Sequence, residues 1–147
     1  MDKQTMRATI LDAKAHRGMT WEQIGQAIGM SPVWTASACL GENSMPADLA
    51  EALCHTLALS ADVAAALQER PLKGSNKDIV PRDPLIYRFY EVMTVYGESL
   101  KQVIQEKFGD GIMSAIDFTI DVDVEKDPKG DRVVLTWKGK FLPYKRW

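Results

Sequence analysis

The residues of this chain whose types and spacing best suit chemistry are Arg88 and Glu91. They lie three positions apart in the otherwise apolar segment 83–118. Residues three apart share one face of a helix, so the two side chains could form an ordinary intrahelical salt bridge. A buried ion pair is a weak device for stability. An arginine in an apolar, partly dry surrounding can instead hold a small anion through two hydrogen bonds. The pattern therefore leaves two interpretations open, a structural ion pair and a small-anion site at Arg88.

Ser114 is the second candidate, and it follows the turn Gly109-Asp110-Gly111. Gly109 is expected to cap the end of the preceding helix, which is a common structural role of glycine. No histidine lies near Ser114 in the sequence. The pattern is therefore unlike that of an activated nucleophile with a neighbouring base. We expect the Ser114 hydroxyl to offer a hydrogen bond.

A long helix is predicted to carry Arg88 and Glu91. Asp83 and Pro84 supply a capping residue and a proline at the first helical position. The apolar positions that follow cover nearly the whole helix circumference, and Gly97 is expected to loosen the helix. A helix that is apolar all round is expected to be buried on several sides.

A strand pair is predicted after the glycine turn. Apolar and polar residues alternate over 116–125, which indicates a half-buried strand. A turn at 127–130, a partner strand at 133–137 and a separate short stretch at 141–143 follow. Two or three strands and one apolar helix do not form a stable closed domain alone. The sequence therefore predicts an obligate oligomer whose C-terminal strands pair between subunits.

The first seventy residues are predicted to form several short helices. Thr20 and Gln23 match a capping box, and Ser31 and Pro32 start the next helix. Two more helical segments are expected at 47–57 and 60–68. Prolines, a glycine and polar residues at 71–82 indicate a linker.

The helix-turn-helix outline over 21–40 raises an alternative function, a DNA-binding regulator with a C-terminal dimerisation module. No lysine or arginine occurs between Arg17 and Arg70, and residues 1–70 hold five basic and eight acidic side chains. Phosphate neutralisation supplies most non-specific DNA affinity, and this region cannot provide it. We therefore expect no nucleic-acid partner.

Composition and charge limit the location of the protein and the ligands it could bind. The net charge is -2 at pH 7, no apolar stretch is long enough to span a membrane, and the N-terminus lacks a signal-peptide layout. We expect a cytoplasmic protein without a membrane partner. The cysteines and histidines (Cys39, Cys54, His16 and His55) stand apart from any ligand motif. Reduced thiols and no metal site are expected.

Several motifs together resemble the cyanase (cyanate hydratase) family. They are YRFYE at 87–91, VYG at 95–97, EKFGDGI-x-SAI at 106–116, GKFLP at 139–143 and PADLA at 46–50. The resemblance implies that Arg88, Glu91 and Ser114 are catalytic and that Arg88 and Ser114 bind substrate. A position that is cysteine in some members of the family is Ser75 here, which puts any redox-sensitive behaviour in doubt.

The resemblance also implies a reaction and an assembly. The reaction is the bicarbonate-dependent decomposition of cyanate to ammonia and carbon dioxide through carbamate. Bicarbonate is the co-substrate, and no cofactor is required. The assembly is a homodecamer built from dimers, with active sites between subunits. A non-catalytic assembly protein with the same fold is a further alternative, against which the presence of all three site residues argues.

The predicted fold class is α+β. A helix-turn-helix-like bundle, similar to lambda repressor, is expected at 1–72, and a linker at 73–82. A C-terminal catalytic and dimerisation domain with strand pairing between subunits is expected at 83–147.

Overall fold

The computed structural model describes residues 1–71 and 79–145. Ser75 and most of the predicted linker lie outside the described residues. Within the described ranges the elements are α1 (Lys3–His16), α2 (Trp21–Ile28), α3 (Pro32–Cys39), α4 (Ala47–Leu57), α5 (Ala61–Gln68), α6 (Pro84–Phe108), β1 (Gly111–Glu125) and β2 (Arg132–Pro143). The predicted α+β class is confirmed. None of the described helices is long and apolar enough to cross a membrane.

Side-chain caps start α2 and α3 where the sequence predicts them. At α2 the capping box is complete, because Thr20 Oγ1 accepts from the Gln23 amide and the Gln23 side chain accepts from the Thr20 amide. At α3 the Ser31 hydroxyl accepts from the Trp34 amide, with proline at the first helical position. These bonds satisfy backbone donors that the first helical turn leaves without partners.

The five short helices enclose one apolar core. The largest fully buried side chains come from all five of them (Met6, Ile10, Ile24, Thr35, Cys39, Leu53, Leu57, Val63 and Leu67). The Lys3 ammonium donates to the carbonyl of Ala66 at 2.6 Å, near the end of α5. A lysine at the C-terminal end of a helix satisfies free carbonyls and complements the helix dipole.

Helix α6 differs from the predicted form in two ways. It runs without a break through Gly97, so the expected loosening there is wrong. One glycine costs a helix only about 1 kcal/mol, which the flanking turns can absorb. In addition, no residue of α6 is buried within the chain. The burial expected on several sides is therefore not met within a single copy.

Strands β1 and β2 form a two-stranded antiparallel sheet and are longer than predicted. β1 begins at Gly111, before the alternating pattern starts, and β2 includes the segment 141–143 that was expected to stand apart. The half-buried face expected over 116–125 is not formed within one copy, because Ile116, Val122 and Val124 stay exposed. Alternation marks only part of β1. Pairing between the strand backbones extends beyond it.

The chain divides into two compact units. One contains the five short helices together with Ile120–Thr136 from the strand pair, and the other contains α6 with the remaining strand residues. The domain boundaries expected from the sequence stay a prediction.

Candidate functional site

Arg88 and Glu91 are brought together on α6. One guanidinium nitrogen of Arg88, Nη1, donates to Glu91 Oε2 at 2.5 Å. The Arg88 guanidinium carbon also lies 5.9 Å from the centroid of the Tyr87 ring, at the outer limit of a cation–π contact. The carboxylate and the ring together restrict the directions in which the guanidinium can point.

This ion pair is open to solvent within the chain. The side chains of Arg88 and Glu91 are 64% and 45% exposed. The partly dry surrounding expected for Arg88 is therefore absent from a single copy. An exposed pair of this kind contributes about 0–1 kcal/mol to stability. Stability alone gives little reason for its placement in an apolar helix.

Ser114 has the opposite environment. It is 8% exposed, and it is the one buried residue of the described range 79–145. Its Oγ accepts hydrogen bonds from the backbone amides of Ile116 at 3.1 Å and Asp117 at 2.9 Å. A hydroxyl oxygen has two acceptor positions and one proton to donate. With both acceptor positions in use, the Ser114 hydroxyl can serve a ligand only as a donor.

The turn between α6 and β1 fixes the start of the strand that carries Ser114. Gly109 ends the helix with φ 88°, in the region that favours glycine, and its amide donates to the Gln105 carbonyl at 2.8 Å. The Gln105 side chain donates to Asp110 Oδ1 at 3.1 Å. The predicted capping role of Gly109 is confirmed.

The end of β2 is tied to the same turn. The Tyr144 amide donates to the Asp110 carbonyl at 3.1 Å, and the rings of Phe108 and Phe141 stack with centroids 5.2 Å apart. These contacts hold the start of β1, three residues before Ser114, against the end of β2. Ser114 is thus fixed by local contacts, although α6 itself is uncovered.

Direct bonds do not join all three sequence-predicted residues in the described part of one copy. Arg88 and Glu91 are paired. Across the described residues, no hydrogen bond or ion pair joins Ser114 to either of them. Sequence reasoning also missed the Ile116 and Asp117 amides as partners of Ser114. A serine can form such a turn with the amides ahead of it, but the strand-like pattern of 116–125 concealed it.

Within residues 1–71 and 79–145, no cluster of three or more histidine, cysteine or carboxylate side chains could hold a metal ion. Cys39 and Cys54 are free and buried. Burial, followed by the charge of the nearby Cys54, raises the pKa of the Cys39 thiol from 9.0 to about 12. A thiol with so high a pKa is a poor nucleophile.

Comparison with known proteins covers nearly the whole chain. The family profile described as "Cyanate hydratase, N-terminal" matches residues 3–71, and the profile described as "Cyanate lyase C-terminal domain" matches residues 78–146. The cyanate hydratase of Teredinibacter turnerae is 60% identical over 147 residues, and that of Pseudomonas putida is 57% identical over 147 residues. Both matches cover the full length of each chain.

A solved structure agrees with the sequence relatives. The crystal structure of cyanase from T. urticae superposes with a TM-score of 0.85 at 45% identity, and the match covers 95% of this chain and 97% of that one. An α+β lyase fold is thus shared over both parts of the chain. The chain belongs to the cyanate hydratase family, and the resemblance seen in its motifs is confirmed.

Proposed function

We propose that this protein is a cyanate hydratase, a lyase that decomposes cyanate with bicarbonate to ammonia and carbon dioxide. The observation that carries the proposal is the match to a cyanate hydratase at 60% identity over the full length of both chains. The Arg88 guanidinium and the donor-only hydroxyl of Ser114 support it, because small anions are bound by hydrogen-bond donors of this kind.

The proposed reaction balances without a cofactor. A bicarbonate oxygen attacks the cyanate carbon, and the bicarbonate proton passes to the cyanate nitrogen, which leaves a dianionic adduct. Cleavage of the bond between the former bicarbonate carbon and the shared oxygen releases carbon dioxide. One proton taken up on nitrogen gives carbamate. A second proton allows the carbon–nitrogen bond to break into ammonia and carbon dioxide. Bicarbonate is the nucleophile, so no step calls for a bound metal or organic cofactor.

The main difficulty is electrostatic. Two unit charges about 4 Å apart repel by roughly 4 kcal/mol at an effective dielectric near 20. Fixed donors are needed to stabilise the dianion, because they require no reorganisation during the reaction. We assign the positive charge to Arg88 and a directed hydrogen bond to Ser114. Glu91, which is negative, orients Arg88 through the 2.5 Å bond or relays the proton taken up on nitrogen.

We further propose that the site is completed by other copies of the chain. Arg88 and Glu91 are solvent-exposed in one copy, and apolar side chains surround them without burial. A second copy is the economical cover for such a surface, and it could bring Ser114 and a second Arg88 to the same anion. The homodecamer built from dimers and the cytoplasmic location belong to this proposal.

The alternative DNA-binding function has little support. Helices α2 and α3 have the helix-turn-helix order, but α3 (PVWTASAC) carries no basic side chain. Base edges are read mainly by arginine, lysine, asparagine and glutamine. The cyanase structure from T. urticae matches 95% of this chain at a TM-score of 0.85.

The deciding experiment measures ammonia release from cyanate by the purified full-length protein, with and without bicarbonate. The same reaction is then run with heavy-carbon cyanate and heavy-oxygen bicarbonate, and the isotope content of the carbon dioxide is measured at short times. We expect bicarbonate-dependent release and one heavy oxygen in the heavy-carbon carbon dioxide, because that oxygen is transferred in the attack. Release that is independent of bicarbonate, with no heavy oxygen on that carbon, would indicate direct attack by water. No ammonia release from the intact oligomer would refute the proposed function.

A further inference from the structure

Strand β2 approaches β1 unusually closely where Gly139 lies opposite Met113 and Ser114. A Cβ atom added to Gly139 would lie 2.5 Å from the Ser114 carbonyl oxygen and would also overlap the Met113 side chain. Flexible side chains can move aside at little cost, but a backbone carbonyl in a strand cannot. A side chain at 139 would therefore displace β1 at Ser114.

The need for glycine at 139 is steric. Gly139 is not among the glycines with positive φ, so its backbone conformation is open to other residues. Glycine within a strand commonly marks a place where another backbone comes close. Here the backbone that comes close belongs to the proposed substrate-binding serine.

Residues 114–117 lie within β1, but the hydrogen bonds that the Ser114 side chain accepts there are not those of a regular strand. We name these residues the Ser114 turn. An oxygen that accepts from the amides two and three residues ahead is typical of a serine turn and not of an extended strand. Burial shows the same departure. Ser114 is 8% exposed and Ile116 is 98% exposed, although residues two apart in a strand share a face. The two hydrogen bonds of the Ser114 turn form only if the Ser114 backbone holds its Oγ within reach of the Ile116 and Asp117 amides.

We propose that Gly139 is a positioning residue for catalysis, because its missing side chain lets β2 support the Ser114 turn and so directs the hydroxyl proton towards the bound anion. This inference rests on the proposed function. Gly139 does not contact substrate and acts only through Ser114. A shift of the Ser114 carbonyl would move the oxygen away from the Ile116 and Asp117 amides and release the hydroxyl from its donor-only arrangement.

A double-mutant cycle of Gly139→Ala and Ser114→Ala tests this coupling. The readouts are kcat/KM for cyanate at saturating bicarbonate and the dissociation constant of azide, a linear three-atom anion like cyanate. Gly139→Ala should lower kcat/KM and azide affinity by about ten-fold when Ser114 is present, the usual scale of one hydrogen bond to an anion. In the Ser114→Ala background it should change azide affinity by less than about two-fold. Equal losses in both backgrounds would overturn the proposal, as would failure of azide to bind the wild-type protein.

Met113→Ala separates the two overlaps that a Cβ at 139 would make. It removes the Met113 side chain but leaves the Ser114 carbonyl in place, so it should not restore the activity of Gly139→Ala, compared with Met113→Ala alone. Restoration would show that side-chain crowding caused the loss, and it would refute a role through Ser114. Circular dichroism and sedimentation of every variant report folding and assembly. A wild-type protein without bicarbonate-dependent ammonia release would refute the proposed function itself, which is a different result from an active wild type with no coupling.

Discussion

The helical bundle and the α6–hairpin region treat their apolar residues in opposite ways. Every buried apolar side chain of the described residues belongs to the bundle, within 6–67. In α6 and the hairpin the large apolar side chains remain exposed, among them Leu85, Phe89, Leu100 and Trp137. Burial of such side chains is the main source of folding stability. The bundle therefore stabilises itself, whereas the other region lacks a core within one copy.

The two regions also differ in which of them carries the candidate catalytic side chains. The bundle has two buried thiols, of which Cys39 has a strongly raised pKa, and residues 1–70 hold more acidic than basic side chains, unlike a nucleic-acid reader. The region without a core holds Arg88, Glu91 and Ser114. The residues that we assign to catalysis thus lie among residues that still need a cover. We infer that assembly and site formation depend on one another in this protein.

Replacing Arg88 by leucine should have the largest effect on function. We expect kcat/KM for cyanate to fall about 10³-fold, the upper range for loss of one preorganised donor to a developing anion. Thermal stability and assembly should be retained, because the substitution leaves in place the exposed apolar side chains of α6, which are the surface that another copy would cover. Ammonia release, sedimentation and thermal unfolding measure the three quantities. Arg132→Leu is the matched control, since Arg132 is another exposed arginine, paired with Asp127 at 3.1 Å, and should retain full activity. Dissociation of the Arg88→Leu oligomer would instead assign Arg88 a structural role.

Two leucine truncations compare the covered and uncovered apolar surfaces directly. Leu53 is fully buried in the bundle, and Leu53→Ala should lower the free energy of unfolding by about 3 kcal/mol. Below its unfolding temperature this variant should keep its assembly and its activity. Leu100 is exposed on α6, and Leu100→Ala should leave the bundle intact but shift the oligomer towards smaller species on dilution. Chemical denaturation and sedimentation at several concentrations test both. A Leu100→Ala oligomer as tight as the wild type would contradict the idea that another copy covers this face of α6.

Alkaline pH should destabilise the bundle through Cys39. The folded-state pKa is about 12 against 9.0 for an unperturbed thiol, so the unfolded chain loses this proton first as pH rises. The raised pKa of Cys39 therefore contributes to the free energy of unfolding fully below pH 9. This contribution is lost between about pH 9 and 12, at up to roughly 1.4 kcal/mol per pH unit. Denaturant unfolding at several pH values measures the slope. Cys39→Ala is the control, and its slope over this window should be shallower. Equal slopes would mean that Cys39 titrates normally in the folded protein.

The sequence was most informative where local rules decide the structure. The capping box at Thr20 and the start at Ser31 were predicted correctly, because each depends on groups within a few residues. The family motifs indicated Arg88 and Glu91 as candidate site residues. Their spacing of three on one helix is also a local feature. The pairing of these two side chains was thus predictable.

The features that the sequence did not reveal depend on residues far apart in the chain. The close approach of Gly139 to Ser114 joins positions 25 residues apart, and neither segment indicates the other. The Ser114 turn lies within β1, and the alternating pattern that predicts this strand gives no sign of it. By contrast, the exposure of Arg88 within one copy fits the sequence-based inference that a few strands and one apolar helix cannot cover themselves.

Removing the α2 cap should have the smallest effect, and it tests whether the bundle is as independent as its core suggests. Thr20→Ala deletes the oxygen that accepts from the Gln23 amide and should cost about 1 kcal/mol of unfolding free energy. Thr20→Ser keeps that oxygen and should retain most of the stability. Neither change should alter kcat/KM or the oligomer, because Thr20 lies outside both the site and α6. Denaturant unfolding and ammonia release measure the two effects. A loss of activity in Thr20→Ala that Thr20→Ser restores would show that the bundle supports the site, and the separation of the two regions would then fail.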